Sequence, residues 1–191
     1  MTLKIAVSGH RPNRLTGTAE RIGAACRTVL ATLKNTGRWD GSGVAISALA
    51  EGSDRIFAKA ALDEGYALHV LIPFAEDDYI RTFEKPHHEA YDILVRKAAR
   101  TEMIDGDPQN APDAYLELGR EFVRRADVLV SIWDGKPAAG KGGTTDVIDM
   151  MRVAGKPVIW VKADGSQLLH LITRDHNTEI EADEIGRLIT P

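Results

Sequence analysis

One cysteine, Cys26, stands in 191 residues. No disulfide can therefore form within the chain, and a reducing cytoplasm is the expected compartment. No apolar run approaches the roughly 20 residues that a membrane span needs. No signal peptide precedes the first strand-like segment, so no membrane contact is expected. Charge of one sign is missing as well. Lys and Arg number 24 against 28 Asp and Glu, a formal net charge of −4. Nucleic acid is not an expected partner, because no global basic field is there to hold phosphate backbones. Repeats, low-complexity tracts and composition-shifting linkers are absent too. What remains is ordinary: 43% hydrophobic and 27% charged residues, enough for one globular domain with a sizeable core.

Short β-rich runs alternate with amphipathic stretches from the start. Lys4–Ser8, Val44–Leu49, Ala67–Ile72, Asp127–Trp133 and Pro157–Val161 read as strands. Ala19–Asn35 places Ile22, Cys26, Val29, Leu30 and Leu33 at helical spacing. Asp54–Glu64 with Ser53 as its cap, His87–Ala99, Asp113–Arg125 with Asn110 as its cap, and Thr145–Ala154 read as further helices. Glu76–Phe83 reads as a short helix and Thr101–Ile104 as a short strand. Near-continuous apolar strands separated by helices predict a parallel sheet covered on both faces: a single-domain α/β, Rossmann-like three-layer sandwich. The domain is expected over residues 1–165. Residues 166–191 are expected to form a tail that packs on the domain or extends it, with a strand over Leu168–Thr173 and a solvated acidic stretch at Glu179–Glu184.

In such folds ligands bind beyond the carboxyl ends of the strands, and three loops there carry anion chemistry. After the first strand, Gly9 permits a sharp turn, while His10, Arg11 and Arg14 offer donors to phosphate. After the second, Glu51, Gly52, Ser53 and Asp54 open a helix; Asp54 would repel phosphate and suits a cap or a ribose hydroxyl. The third, Asp134–Asp146, is the richest. Gly140, Gly142 and Gly143 precede Thr144 and Thr145 at a helix start, and Lys136 and Lys141 add positive charge. It is neither GxxxxGK[ST] nor GxGxxG. The long connection Pro73–Ala99 reads as a lid or binding surface, with Phe74 at the rim and Tyr79 toward a ligand or a second subunit.

Other candidates read as structure. Cys26 lies on an apolar helix face. His87 and His88 are adjacent and lack metal-ligand spacing, so no metal is expected. Trp133 and Trp160 pack in strands, and Arg124 and Arg125 complement a helix C-terminus.

The strings SGHRPNRL, ALAEGSDRIFAKAAL, LIPF followed by Tyr79, and DVLVSIWDGKPAAGKGGTTDV followed by KPVIWV resemble bacterial proteins of the SLOG superfamily. That superfamily includes the Lonely Guy phosphoribohydrolases, DNA-processing protein A and nucleotide-sensing modules of some antiviral systems and channels. The resemblance covers about Lys4 to Val161. It implies a nucleotide-type ligand, no further cofactor and a homodimer. Carried over by position, Gly9, His10 and Arg11, Gly52 and Ser53, and Gly142, Gly143, Thr144 and Thr145 would bind the ligand and cradle its phosphate. Lonely Guy enzymes carry PGGxGTxxE, but Val147 occupies the Glu position here. Asp146 lies one residue earlier, and Arg120 is an approximate match for the helix Arg. Hydrolysis would need Asp146, Glu51 or Glu121 as the acid, with Arg120. The expected function is binding of a nucleotide-derived ligand as sensor or hydrolase; the alternatives are a nucleoside 5′-monophosphate phosphoribohydrolase and single-stranded DNA handling.

Overall fold

The structure, a computed structural model, describes residues 1–36, 39–137 and 140–189. Among these, eight strands form one sheet. Six run parallel: β1 (Leu3–Gly9), β2 (Gly43–Ser47), β3 (Ala67–Ile72), β4 (Arg100–Met103), β5 (Val128–Trp133) and β6 (Val158–Lys162). Two antiparallel strands, β7 (Leu169–Ile172) and β8 (Asn177–Ile180), extend the edge. The order is β4-β3-β2-β1-β5-β6-β7-β8. The helices are α1 (Ala19–Lys34), α2 (Ser53–Asp63), α3 (Glu76–Ile80), α4 (His88–Lys97), α5 (Ala111–Arg125), α6 (Thr144–Val153) and α7 (Ile185–Leu188). This is the Rossmann-like α/β sandwich that the strand–helix alternation predicts.

Strand alternation divides the core between the two faces. Ile5, Val7, Val130 and Ile132 pack with the buried stripe of α1 and with Phe57 of α2. Ala6 and Leu129 pack with Leu118 and Phe122 of α5 and with Val147 and Met151 of α6. Cys26 is fully buried in the first cluster, where burial pushes its thiol up to about 12; it is inert core.

Three local expectations are corrected. Ser53 does not cap α2 but is its first residue, with Gly52 at the cap position. The α5 helix begins at Ala111, two residues early; Asn110 does stand at its cap position, but its side chain donates to Asp113 (2.6 Å) rather than accepting from the helix. The acidic stretch Glu179–Glu184 is not all solvated surface. Its first two residues end β8, with Ile180 buried, while α7 packs on α1 through buried Ile185. A four-residue edge strand with one buried side chain leaves too short a pattern for alternation to be read.

Candidate functional site

The β1 strand is where the order reverses: the chain moves from it toward β4 on one side, and from β5 toward β8 on the other. Connections leaving β1 and β5 diverge to opposite faces and leave a crevice beyond the strand ends. A cavity of about 350 Å³ lies there, within the range of small-molecule sites.

The strand-one loop forms one wall, held by close backbone approach. A Cβ on Gly9 would lie 2.5 Å from Ser53 Cβ and 2.8 Å from the Ile132 carbonyl oxygen. Gly52 has φ +89°, and a Cβ there would lie 2.7 Å from the His10 carbonyl oxygen. Only glycine allows the start of α2 to press on this loop. Ser53 then stitches the two together, donating to the His10 carbonyl from its N–H (3.1 Å) and its hydroxyl (2.9 Å). Gly52 and Ser53 therefore brace the wall from behind, while Gly9, His10 and Arg11 line the cavity.

Charges along this wall are paired. Asp134, following β5, contacts His10 Nε2 at 2.8 Å and accepts from Arg14 Nε and Nη2 (3.0 and 2.8 Å) and from the Lys136 N–H (3.0 Å). Burial opposes its ionisation, but these donors win and hold the carboxyl at about 2. Burial lowers His10 from its usual 6.5, with Asp134 opposing. Arg11 donates to Glu51 (3.2 Å), whose other oxygen accepts the Glu84 N–H (2.8 Å).

Asp54 differs from these carboxylates. It lines the cavity yet is 6% exposed, and its Oδ2 accepts the Ala50 N–H at a long 3.3 Å. Burial pushes its carboxyl up to about 7, against the opposing influence of Arg11 and the Ala50 and Ala48 amides. Tyr79 of α3, also lining the cavity, has no hydrogen bond from its hydroxyl to any described residue. Its ring packs against Phe74 and Phe83, with centroids 5.8 and 4.8 Å apart. Phe74 lies buried behind this aromatic wall.

The glycine loop closes the opposite side. Ala138 and Ala139 lie outside the described residues. Gly142 has φ +78°, and a Cβ there would lie 2.8 Å from Tyr115 Cβ and 2.9 Å from the Leu116 amide nitrogen, so the loop leans on the first turns of α5. Asp146 Oδ2 accepts the Gly142 and Gly143 N–H groups (2.7 and 3.2 Å). Thr144 and Thr145 line the cavity at the start of α6, and their two N–H groups face outward, while that of Asp146 donates to the Gly143 carbonyl (3.0 Å). Lys141 pairs with Asp113.

Of the residues read from sequence, the structure thus gathers Gly9, His10, Arg11, Gly142, Gly143, Thr144 and Thr145 around one cavity. The acids are placed elsewhere. Asp146 turns back onto its own loop, and Glu51 is held by Arg11 and Glu84. Arg120 is exposed on α5 and bonds Glu117, while Glu121 pairs with Arg124 and Arg125. Among the described residues no three His, Cys, Asp or Glu side chains group as metal ligands. Asp54 as an acid was missed. Its burial depends on how the start of α2 packs, which the residue types around it do not show.

No protein-family model and no curated protein matches the sequence. Solved structures do. DNA processing protein A from Streptococcus pneumoniae aligns at 15% identity and TM-score 0.56, over 98% of this chain and 56% of that one. Its counterpart from Helicobacter pylori, solved for its single-stranded DNA binding mode, aligns at 21% and 0.53, over 83% and 64%. The structural-genomics protein TM1055 aligns at 18% and 0.51, over 82% and 72%. The chain spans less than two thirds of either DNA processing protein A. At these identities the likeness is one of fold alone, a Rossmann-like sandwich.

Proposed function

We propose that this chain binds a nucleotide or nucleotide-derived ligand in the cavity beyond β1 and β5, with the phosphate at the start of α6. One observation carries the reading: the strand-one loop and the first turn of α6, separated by more than 120 residues in sequence, face each other across a single cavity of ligand size. The α6 N-terminus supplies N–H groups and a favourable dipole for an anion. Sensing is favoured over hydrolysis, because Asp146 and Glu51 are already engaged within the protein and Arg120 lies outside the cavity. Single-stranded DNA is the weaker reading. The cations around the cavity, Arg11, Arg14 and Lys141, each have a carboxylate partner, which leaves little to neutralise a backbone of phosphates.

A thermal-shift screen of nucleoside mono- and diphosphates tests this. A ligand at 100 times its Kd should stabilise by about 2.7 kcal/mol if it binds only the folded state. Thr144→Val should weaken any hit while leaving the circular dichroism spectrum unchanged. Unaltered affinity in that variant would remove the phosphate from α6.

A further inference from the structure

We propose that Asp54 reads the base of the ligand, donating a hydrogen bond from its carboxyl to an acceptor atom of the ring. This rests on the nucleotide reading above and gives that ligand an orientation.

The cavity has two chemically different ends. Gly142–Thr145 follow β5, and Asp54 opens the helix that follows β2, with β1 between. Two strand spacings put these ends roughly 9–10 Å apart. A phosphate at α6 keeps clear of Asp54, and the ribose carries the base toward it. Aromatic surface borders both ends. Tyr79 borders the Asp54 end, Tyr115 lies on the wall by the glycine loop, and the buried rings of Phe74 and Phe83 back Tyr79.

A buried carboxyl that faces a ligand cavity can act as acceptor or donor, and its surroundings select the second. Four charged or titratable groups face it: Arg11 from the strand-one loop with its partner Glu51, Arg55 from its own helix, and Tyr79 from α3. The arginine charges are in part spent elsewhere. Arg11 is paired, and Arg55 donates to the Leu49 and His87 carbonyls (2.8 and 2.7 Å). Burial therefore outweighs them and the carboxyl keeps its proton up to about pH 7. The Ala50 N–H donates to Oδ2, and the Ala48 amide also favours the charged form; burial outweighs both. Tyr79 is raised well above 10 and stays neutral, and His10 is lowered below 6.5, so neither titrates just above neutrality.

The test compares the four nucleoside 5′-monophosphates with ribose 5-phosphate, which has the same phosphate and sugar but no base. Affinities are measured by calorimetry at pH 6.5 and 8.5 for the wild type, Asp54→Asn and Asp54→Ala. Ionisation of the phosphate and of His10 affects both probes alike, so the ratio of nucleotide to ribose 5-phosphate affinity isolates the base. In the wild type that ratio, for the best nucleotide, should fall about 20-fold over this pH range, since the donor is lost about tenfold per pH unit above 7. Asp54→Asn, whose amide donates without titrating, should keep a ratio above one that no longer changes with pH. Asp54→Ala should lower the ratio to the share owed to the ring contacts alone and make it independent of pH. A wild-type ratio independent of pH, or an undiminished ratio in Asp54→Ala, overturns the assignment. Should the alanine variant not fold, the wild-type and Asp54→Asn profiles decide. If ribose 5-phosphate binds and no nucleotide binds more tightly, only the base-reading role falls and the phosphate site stands. If nothing binds the wild type, both readings fall.

Discussion

Asp54→Asn should stabilise the protein, and by an amount that grows with pH. In the unfolded chain this carboxyl ionises at its ordinary 3.8; in the folded protein burial delays ionisation to about 7. Between those values the folded state holds a proton that the unfolded state has released. Wild-type stability is therefore complete below about pH 4, declines as pH rises toward 7, and is level above that. About three powers of ten in proton affinity correspond to at most ~4 kcal/mol. Asparagine never ionises, and its carbonyl can still accept the Ala50 N–H, which Asp54 does at 3.3 Å. Its amide N–H₂ can meet water in the cavity that Asp54 lines, so the exchange costs little at pH 4, and relaxation of the charged wild-type carboxyl toward the same water keeps the gain at pH 8 below that limit. The expected stabilisation is about 2 kcal/mol at pH 8 and close to zero at pH 4. Urea unfolding followed by circular dichroism at pH 4, 6 and 8 measures it, with constant m-values as the check on two-state behaviour. An equal difference at pH 4 and pH 8, or a variant that loses ground as pH rises, would refute the burial of an uncharged carboxyl.

Gly52→Ala should cost about 3 kcal/mol, because φ +89° excludes a side chain and a Cβ would lie 2.7 Å from the His10 carbonyl oxygen; a loss below about 1 kcal/mol in chemical unfolding would mean that the strand-one loop gives way. Asp146→Ala should cost about 1 kcal/mol by releasing the Gly142 and Gly143 N–H groups. If the wild type releases free base from nucleoside monophosphates, this variant should do so at a comparable rate; a selective collapse of that rate with the fold intact would make Asp146 catalytic after all.

The elements were legible where one period ran long enough. The α1 stripe from Ile22 to Leu33 and the apolar runs of β1 and β5 leave little choice about their partners. In the tail β7 was legible as the expected strand over Leu168–Thr173, but β8 was not, because Asn177–Ile180 buries one side chain and takes its structure from β7 beside it. The same division holds at the site. Glycines and threonines next to strand ends pointed to loops that the structure brings to one cavity, since local backbone chemistry is written locally. The state of the acids was not local. His10 and Arg14 meet Asp134 across more than 110 residues, Arg11 meets Glu51 across 40, and Asp54 owes its proton to burial that only the packed fold provides. Asp146 could be read either as catalyst or as a first-turn carboxylate favoured by the helix dipole from its position alone; the direction of its carboxyl favours the second.

The indoles of Trp133 and Trp160 are 4.9 Å apart between ring centroids, and each is anchored at its Nε1: Trp133 to the Lys136 carbonyl (2.7 Å) and Trp160 to that of Trp133 (2.8 Å). Lys136 belongs to the turn whose N–H Asp134 accepts, and Asp134 holds His10 and Arg14 at the cavity wall. The protein thus carries an unlabelled optical reporter wired to its own site. Two chromophores this close couple electronically, so a rearrangement of that turn would register in near-ultraviolet circular dichroism and in tryptophan emission, with no dye, tag or mutation needed to see it.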